Sequence, residues 1–388
     1  GFDPGSAASW PPTPTPTPTN GDTTFTDAVN SQSNKPAQGL AAVLDQVIQD
    51  RVTNGNNVLA DELISNTTNF TQAQINEATN QLQPLMMGGV NRIITDSNYA
   101  VSRAVSEHSQ TSPERNLWAK VIGNDSTHDA EGNVTGYSNQ SYGVIAGLDT
   151  PINPNLNLGV AVSYIENEAD TDGNQINHEF TAKNWQLLGY GNYAASPATN
   201  VNFHAGAGQS NVKGERHLSV LSNATASSDY SVDTLQAGLG VAHRIGNERQ
   251  NFTPFASVDY AQASSESYRE TGAGVYNLNV DDNTYESMRW TAGLRLSQAL
   301  TPTLSLTGEL AGAIENGDKH SDITASFADM PNAKFNTIGQ EVGREIGIAG
   351  IGLSYAPTPR TTISANYRGE WRDNYDDQGA AIVFKTTF

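Results

Sequence analysis

The chain has 388 residues, of which 41 are acidic and 21 are basic, giving a formal net charge of −20, and it contains no cysteine. The absence of cysteine excludes disulfides, thiolate catalysis and thiolate metal sites, and the acidic balance opposes general nucleic-acid binding. No stretch approaches about 18 uninterrupted apolar residues, so no membrane-spanning helix is expected. No signal peptide is visible, and because the chain begins Gly1-Phe2-Asp3-Pro4 we interpret it as a processed or engineered fragment.

Residues 1–25 are expected to form a Pro/Thr-rich linker. Proline alternates with threonine over Pro12–Thr19. Proline is excluded from helix interiors and from the interior of a strand ladder, so this stretch should be extended and act as a spacer.

Residues 26–87 are expected to be helical. Apolar residues recur at the spacing of one helical stripe, at Leu40, Val43, Leu44 and Val47. Thr71 and Gln74 have the spacing of a capping box that opens a further helix. This region is either a junction that leads into the following segment or a small independent helical bundle.

Residues 88–114 are interpreted as a pore helix and its connector. Val90–His108 would span about 28 Å as a helix, close to a bilayer core of about 30 Å. One face is apolar and begins at Val90, whereas the other carries Arg92, Asn98 and Arg103. The helix is too polar to face lipid, so it either lies inside a polar-lined barrel or packs on the preceding helices.

From residue 115 to residue 388 the apolar period changes to two, as in Leu117, Ala119 and Val121. Such alternation gives a strand two different faces. We count about twelve segments of this kind. The pattern predicts an all-β transmembrane barrel of about 12 antiparallel strands, with apolar residues towards lipid and polar residues towards a wet lumen.

The connections between these segments alternate between short turns and long polar stretches. The short turns contain proline and are Thr150–Asn155, Ser196–Thr199, Gln298–Thr303 and Ala356–Pro359. The long stretches are Asp125–Asn139, Glu166–Asn177, Val212–Asp229, Ser264–Thr284 and Ile314–Thr337. Short turns are expected on the periplasmic side and long loops outside the cell. A helix that runs through the lumen before the first strand would then place the earlier residues at the cell surface.

Several motifs, taken in order, resemble one protein family. They are Leu117-Trp118-Ala119, Gly147-Leu148-Asp149, Thr253-Pro254-Phe255-Ala256, Gly350–Tyr355, Ala365–Trp371 and the terminal Phe388. Together they resemble the C-terminal translocator domain of bacterial autotransporters, the type V secretion proteins, from about Arg115 to the end. The resemblance implies a helical junction upstream of the barrel and a helix inside its lumen.

The same resemblance implies a function and a location. The chain would help to export an N-terminal passenger, which is absent here, across the outer membrane of a Gram-negative bacterium and anchor it at the cell surface. Its expected partners are its own passenger, outer-membrane lipids and a barrel-assembly machinery that reads the last strand. Phe384 and Phe388 would form that assembly signal. The chain is expected to be a monomer.

Charged residues that alternate with apolar ones should point into the lumen. They are Lys120, Arg295, Glu309, Arg368 and Glu370. They are either an ordinary solvated lining or partners of the helix. The second hypothesis pairs Glu309 or Glu370 with Arg92 or Arg103.

Other candidate chemistry is weak. His128-Asp129 lies beside no nucleophile or further carboxylate, and Asp170–Asn174 lacks the distal carboxylate of a calcium loop. Asn91 and Asn98 are available for cleavage inside the pore, but the motif of the cleaving relatives is not matched. We therefore predict no catalytic residue, metal or cofactor and no enzyme activity. The alternatives are a passive outer-membrane porin and a surface hydrolase.

Overall fold

The computed structural model describes residues 24–108, 114–173 and 175–388. Most of the expected linker, and residues 109–113 of the connector, lie outside the described residues. The helices are α1 (Phe25–Ser31), α2 (Gln38–Asn54), α3 (Val58–Thr67), α4 (Gln72–Gln81) and α5 (Val90–His108), with 3-10 turns at Lys35–Ala37, Leu85–Gly88 and Gly274–Tyr276. No helix in the described ranges combines the length and the apolar character needed to cross a membrane.

Twelve long strands of the described chain form an antiparallel barrel. They are β1 (Asn116–His128), β2 (Gly136–Asn153), β3 (Leu156–Asp172), β4 (His178–Ala194), β5 (Thr199–Leu218), β6 (Ala224–His243), β7 (Gln250–Ser265), β8 (Asn283–Ala299), β9 (Leu304–Gly317), β10 (Glu345–Thr358), β11 (Thr361–Arg372) and β12 (Tyr375–Thr387). Each pairs with its neighbours in sequence, and β1 pairs with β12, from Asn116 opposite Thr387 to His128 opposite Tyr375. The barrel is therefore closed, as the alternation predicted.

The two ends of the barrel differ as expected. The short turns, such as 154–155 and 359–360, lie at the end where β1 begins and β12 finishes. The longer connections, 266–282 and 318–344, lie at the opposite end. We call these the short-turn end and the outer end.

Three of the expected long loops are mostly strand. β5 and β6 extend through Val212–Asp229 and leave only 219–223 as a connection, while β1 to β4 extend similarly into Asp125–Asn139 and Glu166–Asn177. The prediction was wrong because polar residues do not by themselves mark a loop. A strand that rises above the membrane meets water on its outer face and can be polar there.

The outer surface of β4 marks where the membrane lies. Trp185 and Tyr193 both face outward, eight residues apart, which is about 26 Å along the strand and about 20 Å in height at a strand tilt of about 40°. Aromatic residues bracket the apolar band of outer-membrane barrels, which is about 25 Å tall. Above Trp185 the outward residues become Lys183 and Glu179. Other strands expose apolar residues in the same band, including Val121, Val160, Leu239, Trp290, Leu310, Ile351 and Ile382.

The lumen is not uniformly polar, contrary to the sequence expectation. Inward side chains of β1 to β4, among them Trp118, Ile145 and Leu188, form an apolar patch with Val101 and Val105 of α5. Nearer the outer end, Ile94 packs in a second apolar cluster whose strand members include Phe180, Val212, Tyr230 and Val232. The apolar face of α5 therefore lies against one wall of the barrel.

A cap covers the outer end. The connections 266–282 and 318–344 contribute four short strands, Tyr268–Arg269, Leu278–Val280, Ile323–Phe327 and Lys334–Thr337, which form a separate sheet. Apolar residues of α1 to α4 pack against this sheet in one core that includes Leu44, Leu63, Leu278 and Phe327. The capping box expected at Thr71 and Gln74 is present at the start of α4.

Candidate functional site in the barrel lumen

Helix α5 runs along the lumen and contacts several walls. Ser97 Oγ donates to Asn167 on β3 (3.1 Å), Ser102 Oγ donates to Gln236 on β6 (2.6 Å), and the Tyr99 hydroxyl donates to Ser287 on β8 (2.7 Å). Its first residue lies towards the cap and His108 lies towards the short-turn end. The helix thus passes from the outer end to the start of β1.

A cluster of six charged side chains joins the polar face of α5 to the far wall. The lumen cluster comprises Arg92, Asp96, Arg289, Glu315, Glu370 and Arg372. Glu315 accepts from Arg92 (2.5 Å), Arg372 (2.8 Å) and Arg289 (3.0 Å). Arg289 and Arg372 also contact Glu370, at 3.1 and 2.8 Å. Within these six side chains three cations face three anions, and Arg368 also donates to Glu370 at 3.3 Å.

The hypothesis that Glu309 or Glu370 pairs with Arg92 or Arg103 differs from what is observed. Arg92 pairs with Glu315, and Arg103 approaches Glu107 of its own helix at 4.0 Å. Glu309 contacts Arg295 (2.8 Å) and Arg368 (3.5 Å), which are strand residues. The strand register determines which carboxylate faces the helix, and single-strand alternation does not contain that information.

The five charged residues predicted for the lumen have the following contacts. Lys120 donates to Glu107 of α5 at 2.9 Å. Arg295, Glu309 and Arg368 line a cavity of about 70 Å³ beside Arg103. Glu370 belongs to the lumen cluster. A space of this size admits only a few water molecules.

Sequence reasoning missed Glu315, Arg289 and Arg372. Strand alternation could have identified them, because each lies an even number of positions from a predicted lumen residue on its own strand. The pairs are Arg289 with Arg295, Glu315 with Glu309, and Arg372 with Glu370. The predicted loop Ile314–Thr337 includes Glu315, so the predicted strand ends before this residue.

The other end of the helix is held by an anchor around Asp149. His108 Nε2 lies 2.6 Å from the Asp149 carboxylate, which also accepts from Asn116 (2.7 Å) and the Tyr190 hydroxyl (2.9 Å). The Trp118 indole donates to the same hydroxyl at 2.8 Å, and its ring stacks on His108 at 4.6 Å. These contacts fix the helix where the chain turns into β1.

Removing this anchor should loosen the barrel. Asp149→Ala leaves buried donors on Asn116 and Tyr190 without their acceptor, and we expect a loss of about 1–3 kcal/mol in the free energy of unfolding. Urea unfolding of the refolded barrel in detergent measures it. Asp170→Ala, at an exposed position on the outer face of β3, is the matched control and should change stability by less than about 0.5 kcal/mol. Equal effects of the two variants would show that Asp149 is no anchor.

A strained turn redirects the chain from the cap into the lumen. Met86 and Met87 adopt left-handed conformations with φ of 52° and 50°, and Gly88 follows with φ of 90°. His178 Nδ1 accepts from the Met86 amide (3.1 Å), and Gln340 donates to the Met86 carbonyl (3.1 Å). Such conformations persist where the surrounding structure holds them. The contacts of Met86 with His178 and Gln340 therefore stabilise this turn at the outer end.

The remaining candidates have structural surroundings. His128 is buried, stacks on Tyr137 at 5.3 Å and contacts the Glu341 carbonyl at 3.0 Å. Asn91 donates to the Asn283 carbonyl (3.0 Å), and Asn98 accepts from Gln186 (2.7 Å).

The candidate calcium loop is largely strand. Asp170 and Asp172 belong to β3, and Asn174 lies outside the described residues.

Comparisons with known proteins agree with this architecture. A family model described as the autotransporter β-domain matches residues 117–368. The translocator domain of the autotransporter NalP from Neisseria meningitidis is 13% identical, with a TM-score of 0.63 over 76% of this chain and 95% of that one. The transport unit of AIDA-I from Escherichia coli is 12% identical, with a TM-score of 0.55 over 79% and 100%.

Curated relatives are longer. Two proteins described as extracellular serine protease of Serratia marcescens are each 24% identical, over 68% and 79% of this chain. The chain spans only 25% and 30% of their lengths. The family match covers residues 117–368, which is most of the chain and lies within the barrel. The chain belongs to the autotransporter family, as a translocator β-barrel of the bacterial outer membrane.

Proposed function

We propose that this chain exports a passenger joined to its N-terminus across the outer membrane and then anchors it at the cell surface. The observation that carries the proposal is the path of α5. The helix fills the lumen, its last residue lies near the short-turn end beside β1, and its first residue leads into the cap at the outer end. A polypeptide that preceded the cap would therefore continue outside the cell.

The barrel surface would hold the chain in the outer membrane. Its apolar band would contact outer-membrane lipids, while the polar upper parts of β3 to β6 and the cap would stand in water. Because β1 pairs with β12, the barrel has no free strand edge, which favours a monomer.

After export the helix acts as a plug. Arg92 binds Glu315 near the outer end, and His108 binds Asp149 at the short-turn end, so both ends of the helix are tied to the wall. This arrangement needs no catalytic group, and we propose a role in transport and anchoring without enzyme activity. A passive porin is disfavoured by the filled lumen. A hydrolase is disfavoured by the buried, stacked position of His128.

The proposal is tested by giving the chain a passenger. A small cysteine-free domain, preceded by a signal peptide and fused before residue 1, should become sensitive to protease added to intact cells. A matched chain that ends at residue 360 lacks β11 and β12 and should leave the domain protected. Protection of the domain in both cases, with the full barrel folded, would contradict export.

The terminal aromatic is expected to promote assembly. Phe388 follows β12, its amide donates to the Arg115 carbonyl at 2.9 Å, and its ring is exposed. Deleting Phe388 removes the last aromatic available to an assembly machinery that reads this strand, so heat-modifiable barrel in the outer membrane should fall severalfold. Phe388→Tyr keeps the ring and should assemble normally. Equal amounts of folded barrel from the deletion and the parent would remove Phe388 from the signal, leaving Phe384 to be tested.

A further inference from the structure

Arg216 lies at the outer end of β5, fully buried beneath the cap, and all five of its N–H donors are used. Nε and Nη2 donate to the Glu270 carboxylate at 2.7 and 2.6 Å, and Nη2 also donates to the Tyr276 carbonyl at 3.2 Å. Nη1 donates to the main-chain carbonyls of Gln81 (3.0 Å) and Gln83 (3.2 Å).

These contacts join three segments that are far apart in sequence. Arg216 belongs to the barrel wall, and Glu270 and Tyr276 belong to the connection between β7 and β8. Gln81 and Gln83 lie where the chain leaves α4 for the lumen. Glu270 also accepts from the Leu278 amide at 2.8 Å, which folds the connection back on itself. The Arg216 guanidinium thus joins the barrel wall, the 266–282 connection and the chain that passes through the outer mouth of the barrel.

The contacts to Gln81 and Gln83 go to carbonyl oxygens rather than to side chains. A carbonyl contact depends on a chain being present in this place and is indifferent to its side chains. A buried ion pair is weak evidence for stability, since apolar residues hold a core at least as well. The arrangement is therefore better suited to binding whatever chain lies in this place than to adding stability to the cap.

Burial makes the arrangement depend on all its parts. Without the Gln81–Gln83 segment, the two Nη1 hydrogens would lose their acceptors beneath the cap. Buried donors without partners are unfavourable. The 266–282 connection is therefore expected to stay open to water until that segment arrives.

We propose that Arg216 and Glu270 form a latch that closes the outer mouth once the Gln81–Gln83 segment has left the lumen. The latch holds the exported chain outside and sets the position from which α5 enters the barrel. Arg216 is a positioning residue for export. The inference rests on the proposed function, because it takes the cap to be the side on which the passenger emerges.

The test uses thiols, which the native chain lacks. Gln83→Cys places one at a buried position whose main-chain carbonyl is the group that Arg216 holds. A membrane-impermeant maleimide is added to intact cells that carry the full chain. With Arg216 present, labelling of this thiol should be slow. With Arg216→Met or Glu270→Gln it should become faster on the order of tenfold, as loss of buried hydrogen bonds predicts. Arg216→Lys keeps the positive charge but lacks the planar guanidinium. Its labelling rate should lie between those of the parent and Arg216→Met.

The controls separate the latch from other effects. Arg269→Met, next to Glu270, breaks an exposed pair with Asp329 of the 318–344 connection and should leave labelling slow. Heat-modifiable migration confirms that each barrel has folded. Val58→Cys, on an exposed part of α3, should be labelled equally in every background.

Three outcomes are decisive. Faster labelling at position 83 in the Arg216 and Glu270 variants alone supports the latch. Unchanged labelling there in folded Arg216→Met and Glu270→Gln barrels, with Val58→Cys labelled, overturns the latch and leaves export intact. A thiol at position 58 that intact cells never expose overturns the proposed orientation, and the latch with it.

Discussion

Glu315→Gln should lower the free energy of unfolding of the barrel by about 3–5 kcal/mol, because it removes the charge at the centre of the lumen cluster. Glu315 binds three arginines, and each is largely buried. Its removal leaves three cations facing Asp96 and Glu370 only. Urea unfolding of the refolded chain, followed by tryptophan fluorescence, measures the change.

A double-mutant cycle assigns part of this loss to the helix. Arg92→Met and Glu315→Gln should show a coupling of about 1–3 kcal/mol, whereas Arg103→Met and Glu309→Gln should couple by less than about 0.5 kcal/mol. Arg103 and Glu309 line the same cavity, but their ion pairs are to other residues. Equal coupling in the two cycles would mean that steric fit, rather than the Arg92–Glu315 pair, holds the helix.

Deleting Val90–His108 should raise the ion conductance of the barrel on the order of tenfold, because an empty 12-stranded barrel is wide enough for a water-filled lumen. The helix now occupies that cross-section, and the cavity beside Arg103 is only about 70 Å³. The deletion also removes the polypeptide that joins the cap to β1. Planar bilayer recordings of the refolded chain measure the change.

The control deletes the same number of residues from the linker. Loss of residues 1–19 keeps α5 in the chain, so the conductance should match that of the full chain. Unchanged conductance after loss of Val90–His108 would place the helix outside the conducting path. Intermittent openings of Glu315→Gln, absent from the parent, would show that the lumen cluster keeps the plug seated.

Local patterns explain why much of the fold was predictable. The helical period of apolar residues in α5 is visible within one short stretch of sequence, and the helix is observed over Val90–His108. Alternation also identified the outward faces of the strands, because apolar residues that contact lipid recur at every second position. The twelve strands and the closed barrel were confirmed for the same reason.

Features that depend on distant parts of the chain were not predictable. The partner of Arg92 is set by the stagger of β9 against the helix, and the sequence of neither element specifies that stagger. The cap sheet combines short strands from two different connections, so each strand lacks its neighbours in sequence. The Arg216 latch likewise depends on residues 54 positions apart.

The most direct test of the account asks on which side of the membrane each end of the barrel lies. Val58→Cys in the cap and Thr303→Cys in the short turn between β8 and β9 are both exposed positions. A membrane-impermeant maleimide added to intact cells should label position 58 and spare position 303, and both should react once the outer membrane is permeabilised. Labelling of position 303 with protection of position 58 on intact cells would contradict export through this barrel.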